Sequence, residues 1–187
     1  MKKIGAWAIG TTFILTGCHK TIQEPVQIEA REDAAIEASP LCNVSFSPPA
    51  NWRMVDSSEL SPSVKLMVVG AGSETFPPSI NLTVEAYPGT LKEYLQCVAA
   101  INQSKGYDWK DLGIIRTAAG NASYSQVDRT SEWGDIRMMH VILQNDGMIY
   151  IMTAAALKNE FAVQYRSFFN AFKSLEIKPC ASEEIGS

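Results

Sequence analysis

Four cysteines, two histidines and a scatter of carboxylates are the side chains in this 187-residue chain with the chemistry to act on another molecule. A cysteine nucleophile needs a base or a cation nearby to hold it as thiolate. No suitably patterned histidine offers that to Cys97. His19 adjoins Cys18, and His140 sits in an apolar run with Met138 and Ile142, where a satisfied sheet histidine is expected rather than a general base. The sequence has no His-x-x-x-His, Cys-x-x-Cys or Asp-rich calcium loop, so no metal site is expected. Gly70-Ala71-Gly72-Ser73 lacks both the P-loop lysine and the nucleophile-elbow spacing, and reads as a turn. Asp108, Asp111, Asp128, Glu132 and Asp135 are loop or strand-end carboxylates that could collect on one rim. Solvated charge is the expected reading, with a cation or acid/base site as the competitor. These residues point away from an enzyme and from a dissociable cofactor.

Cys18 is a different case because of what precedes it. Lys2 and Lys3 lead into an uncharged, mostly apolar run from Ile4 to Leu15, followed by Thr16, Gly17 and Cys18. A charged start, a short apolar stretch and small residues make a secretory signal. Twelve residues span only about 18 Å as a helix, short of a hydrocarbon core of ~30 Å, so a permanent membrane span is disfavoured. Leu15-Thr16-Gly17-Cys18 resembles the bacterial lipobox. The resemblance implies a signal peptide over residues 1–17, cleavage before Cys18, and a diacylglycerol thioether and N-acyl lipid on that cysteine. An ordinary secreted protein with an incidental cysteine is the alternative, and the small residues just before Cys18 fit it poorly. Several acyl chains would make attachment to the membrane effectively permanent. The expected location is the bacterial cell envelope. His19 stands where an aspartate would resemble the inner-membrane retention signal of enteric bacteria, which mildly favours the outer membrane.

The net charge of −4 becomes −6 once Lys2 and Lys3 leave with the leader, and that charge is spread rather than blocked. Nucleic acid is excluded as a partner by the lack of clustered Lys and Arg. Residues 18–39 carry the lipidated cysteine and an acidic stretch without aromatics, including Glu24, Glu29, Glu32, Asp33 and Glu37. Such composition buries too little apolar surface to offset ordering and is expected to act as a flexible tether. An amphipathic helix over Ile28 to Ala38 is the competing reading. Residues 40–187 are the size of one domain.

The elements that must position any site follow from periodicity. Alternating Asn43 to Ser47, stopped by Pro48-Pro49, predicts an edge strand, and Val64 to Val69 predicts a second. Ser79 to Ala86 alternates Ile80, Leu82 and Val84 against Asn81, Thr83 and Glu85, which predicts a strand with one wet face. Leu91, Leu95, Val98 and Asn102 recur at helical spacing after Thr90, a plausible cap, and predict a helix over 91–104. Strands are expected over 112–117, 122–129, 136–143 and 148–155, with Asp146-Gly147 supplying a tight hairpin turn. Ile136, Met138 and Ile142 oppose Met139, Val141 and Leu143, so that strand is expected to be covered on both faces. Phe161, Tyr165, Phe168, Phe169, Phe172 and Leu175 mark a core stripe on a helix over about 159–175, with Asn159 as cap.

Phe46-Ser-Pro-Pro-Ala-Asn-Trp52, Ser79 to Val84 with Leu91 to Leu95, and Met148 to Thr153 running into Phe161 resemble the PsbP-like family, which includes PsbP and DcrB-type lipoproteins. The resemblance covers most of residues 43–177. It implies an α+β fold with an antiparallel, twisted central sheet of about six strands flanked by helices. It also implies a family of non-enzymatic binders, assembly factors and chaperones, and its motifs are structural, so no ligand residues carry over.

Two residue sets remain. Cys42 precedes the first strand and Cys180 follows the last helix, so a bridge between them would tie the domain's ends, against the alternative of free thiols; Cys97 reads as a small half-buried hydrophobe. Trp52, Trp109 and Trp133 lie in or beside loops, where they could cover an end of the core or form a rim that binds a protein. The function expected is a lipid-anchored envelope module that engages a protein partner. The alternative is a carrier of a small hydrophobic ligand or lipid between sheet and helix.

Overall fold

The computed structural model describes residues 44–178. The leader, Cys18, His19, the tether, Cys42 and Cys180 lie outside the described residues. The elements run β1 (Val44–Ser45), β2 (Arg53–Met54), β3 (Val64–Val69), β4 (Ser79–Ala86), α1 (Leu91–Ser104), β5 (Asp108–Thr117), β6 (Gly120–Ser131), β7 (Gly134–Asn145), β8 (Met148–Leu157), α2 (Phe161–Lys173) and β9 (Glu176–Ile177), with a 3-10 turn at Ser57–Glu59. Seven strands form one antiparallel sheet in the order β2-β3-β4-β8-β7-β6-β5, and β1 pairs with β9 separately. The fold is α+β, with a sheet one strand larger than expected. The strand expected at 43–47 belongs to the separate pair because Pro48 and Pro49 cannot donate to a ladder.

Local chemistry sets the boundaries. Thr90 and Glu93 form a reciprocal capping box that starts α1 at Leu91. A Thr90→Ala change is expected to cost about 1 kcal/mol, read as a shift in urea midpoint at constant slope. At the β7–β8 turn, Asp146 and Gly147 adopt φ of 48° and 71°, as a type I′ turn requires. The expected cap of α2 is corrected: Glu160, not Asn159, occupies that position, and no side chain caps it.

The helices cover opposite faces of the sheet. On one face, Phe161, Phe168, Phe172 and Leu175 pack on Ile80, Leu82, Val141, Met152 and Ala154, with Val44, Phe46 and Ile177 around them. Tyr165 departs from the expected core stripe, being 45% exposed. On the other face Tyr94, Leu91, Leu95 and Val98 pack on Ile142, Ile149 and Ile151. A second cluster on that face joins Phe76, Val127, Ile136, Met138 and Ala155. The wet face expected for β4 is therefore covered: Thr83 is buried, and Glu85 accepts the Tyr94 hydroxyl at 2.6 Å. As expected, β7 is covered on both faces.

Cys97 is disulfide-bonded, which corrects its reading as a plain hydrophobe. The bridge expected between Cys42 and Cys180 falls outside the described residues.

Candidate functional site

The strand pairing brings one group of side chains together at the start of β5. Trp109 stands opposite Val127, and Asp108 opposite Asp128. Alternation puts Trp109 and Val127 on the face that carries α1. The last turn of α1 hands the chain to β5 through a backbone bond from Tyr107 N to the Asn102 carbonyl at 3.0 Å. The ring of Tyr107 faces two cations, with Arg129 5.9 Å and Lys105 6.0 Å from its centroid. The β6–β7 turn adds Trp133, stacked on Phe76 at 5.7 Å, and Phe76 packs with Val127 in the same cluster. Ser131 fixes that turn by accepting from the Trp133 backbone N–H and donating to the Gly134 carbonyl. The result is a corner of the sheet walled by Tyr107, Trp109 and Trp133 and charged by Arg129.

The polar accounting of this corner is incomplete. Among the described residues, three buried side-chain atoms have no hydrogen-bond partner: Asn102 Oδ1, Trp109 Nε1 and Arg129 Nε. Asn102 is only 2% exposed and uses its amide nitrogen on the Val98 carbonyl. All three residues border Tyr107. Arg129 makes no ion pair among the described residues, whereas Arg137, on the opposite face of the sheet, donates twice to Asp128 at 2.7 and 2.8 Å.

The other expected site residues are distributed differently. Trp52 does not join Trp109 and Trp133; it packs edge-on against Phe168 at 5.9 Å, on the α2 face, and Gly70 leaves room for it. Four of the five carboxylates share one end of the sheet, with Asp108 opposite Asp128 and Glu132 and Asp135 at the β6–β7 turn, but each is held separately. Asp128 also pairs with Lys158 at 2.9 Å, Asp108 with Lys110, and Asp135 accepts from Thr130. Asp111 accepts from the Gly113 N–H, and Glu132 is exposed at a turn. Among the described residues no three His, Cys, Asp or Glu side chains gather where they could hold a metal ion. The Arg137 guanidinium holds Asp128 down to about 2, with Lys158 assisting. His140 is buried in β7 between Ser125 and Thr153 of the neighbouring strands, and burial pushes it down to about 4. It is a neutral core histidine at pH 7.

Sequence reasoning singled out Trp109 and Trp133, which the structure brings to one corner, but not Asn102, Tyr107 and Arg129 beside them. The visible signal was an asparagine on the apolar stripe of α1.

No family model and no curated protein matches the chain. Among solved structures, LpqN from Mycobacterium tuberculosis, described as involved in cell envelope biogenesis, aligns with a TM-score of 0.55 at 15% identity, over 76% of this chain and 88% of that one. Cyanobacterial PsbP from Synechocystis sp. PCC 6803 aligns at 0.47 and 11% identity, over 72% and 86% of the two chains. The Saccharomyces cerevisiae Ran-binding protein Mog1p aligns at 0.47 and 13%, over 72% and 89%. At such identities the likeness is one of fold. The chain is thus similar in its α+β fold to LpqN, and cyanobacterial PsbP is among its structural neighbours.

Proposed function

We propose that this protein is a lipid-anchored, non-enzymatic binding module of the bacterial cell envelope that engages a protein partner through the corner of Tyr107, Trp109, Arg129 and Trp133. The observation that carries this reading is the convergence there of the three orphaned polar atoms. Each buried group left unpaired costs roughly 1–3 kcal/mol, so folded chains keep few of them. All three are closed to solvent, so a partner gains these bonds only by displacing the side chains that cover them. Two are donors, and one belongs to a cation, which suits an acceptor-rich, acidic segment of the partner. Tyr, Trp and Arg are also the residue types that dominate interface hot spots.

The anchor half of the reading rests on the leader and the lipobox. No helix among the described residues is long and apolar enough to cross a membrane. LpqN shares the fold and is described as acting in envelope biogenesis, which accords with the same compartment for this chain. The preference for the outer membrane rests on His19 alone and gains nothing from the fold. The carrier alternative has less to draw on, because Phe168, Phe172, Ile80 and Leu82 on one face and Ile149 on the other are fully buried by each other and their neighbours. A ligand would have to displace core side chains.

Trp109→Phe removes the indole N–H and keeps the ring, while Arg129→Gln removes the charge. Both are expected to weaken the partner captured from the envelope at least tenfold, about 1.4 kcal/mol, in biolayer interferometry. Trp109→Phe is expected to hold or raise the melting temperature, because it deletes a buried unpaired donor. Unchanged affinity in both variants would remove the corner from the account.

A further inference from the structure

The outward side of α2 is unlike the rest of the surface. Val163 is 80% exposed and Tyr165 45%, and Tyr165 stacks on the partly buried Phe169 at 6.0 Å. Lys173 sits 4.9 Å over that Phe169 ring. Arg166 and Lys173 are the helix's ionisable cations, and Phe161–Lys173 contains no carboxylate, although acidic residues outnumber basic ones by 20 to 16 in the whole chain. Both cations are exposed. Aromatic and aliphatic side chains flanked by cations are what a helix presents to an anionic lipid surface.

The route of the chain supplies a second, independent observation. Val44 opens β1, which pairs with β9 directly after α2, and Ser47 N donates to Ser174 Oγ at the end of that helix at 2.8 Å. Val44, the first described residue, therefore stands beside the end of α2. The 25 residues between Cys18 and Val44 are long enough, at up to ~3.5 Å each, to let α2 reach a bilayer that holds Cys18.

We infer that the exposed side of α2 (Val163, Tyr165, Arg166, Phe169 and Lys173) rests on the anionic lipid surface to which Cys18 is attached. This inference rests on the lipid-anchor reading. It also orients the molecule. The corner of Tyr107, Trp109 and Arg129 lies on the other face of the sheet, so it is presented away from the membrane, toward a partner in the envelope space.

The test uses the lipidated chain in vesicles of phosphatidylethanolamine and phosphatidylglycerol whose acyl chains carry bromine, a short-range quencher of indole. A tryptophan probe is placed by Val163→Trp in one sample. A control probe is placed by Ile114→Trp, at a site 75% exposed on the α1 face. Emission is read as the difference from the parent chain, and attachment by co-sedimentation of the same sample. The probe at 163 is expected to lose most of its emission and the probe at 114 to keep it. Arg166→Glu with Lys173→Glu is expected to restore emission at 163 while the chain still sediments with the vesicles. A chain that sediments but keeps full emission at 163, or is quenched equally at both sites, would overturn the inference and leave the anchor standing. A chain that fails to sediment would overturn the anchor reading and this inference with it.

Discussion

Asp128→Ala is expected to destabilise the domain by about 3 kcal/mol, because it strands Arg137 without its carboxylate. Arg137 donates two bonds to Asp128, and its guanidinium lies 5.7 Å from the Phe161 ring centroid, so it sits where β6, β7 and the start of α2 meet. The Asp128 side chain is 9% exposed, which keeps solvent screening small, and Lys158 tightens the same cluster from the end of β8. The effect has a pH signature. The Asp128 carboxyl is held at about 2, below the 3.8 of an unpaired aspartate. The unfolded chain therefore takes up its proton first. About 2 kcal/mol of stability, present above pH 4, should disappear as pH falls toward 2, and the Asp128→Ala variant should lack this limb. Urea midpoints measured across that window decide it, and an identical acid limb in the variant would assign the loss to other carboxylates.

His140 governs the window above. Burial moves it from 6.5 to about 4. Below pH 6.5 the unfolded state binds a proton that the folded state refuses. Stability is then complete above pH 6.5 and falls by about 3 kcal/mol as pH drops to 4, below which the slope ends. His140→Asn removes the titrating ring from its place between Ser125 and Thr153. Whatever its stability at pH 7, its urea midpoint is expected to be flat between pH 6.5 and 4, where that of the parent falls. A parent profile already flat there would show that the buried ring accepts its proton without cost. The two substitutions together should split acid unfolding into separate limbs.

Much of the fold was legible because local signals agreed with the global answer. The apolar run Val64–Val69, the alternation of Ser79–Ala86 and the helical spacing after Thr90 place β3, β4 and α1 with the bounds the structure has, and Asp146-Gly147 places the β7–β8 turn, although β7 extends two residues further at each end and β8 two further at its end than expected. The two-residue strands β2 and β9 carry no periodic signal, and only pairing with β3 and β1 makes them strands. The expected start of β5 at Leu112 was late. Asp108 to Asp111 pair with β6 before a bulge at Asp111–Gly113 breaks the alternation. The covered second face of β4 was also hidden, because Asn81, Thr83 and Glu85 look like a solvated row until α1 and Phe76 are laid over that side of the sheet.

The site was less legible than the scaffold. Trp109 and Trp133 stand out in the sequence because large aromatics beside turn residues are conspicuous. Trp52 is equally conspicuous, yet its partner Phe168 lies 116 positions away on α2, and nothing local separates a tryptophan that covers a core from one that lines a rim. Arg129 reads as one charge among many until the β5–β6 register puts it beside Tyr107 and leaves it without a carboxylate. Its neighbour in sequence, Asp128, points to the opposite face and serves Arg137 instead. A shift of one residue in that register would have exchanged the two roles.

An anchored domain that meets a protein through this corner should leave that contact detectable in the cell. In-cell photocrosslinking from position 133, at the exposed edge of the corner, tests it most directly, with position 163 on α2 as the comparison site and a Cys18→Ser chain as the unanchored form. One dominant protein adduct is expected from position 133, none from position 163, and the adduct is expected to be lost when Cys18 is replaced. The absence of any protein adduct at 133 in the anchored chain, or the same adduct from 163, would contradict docking through this corner.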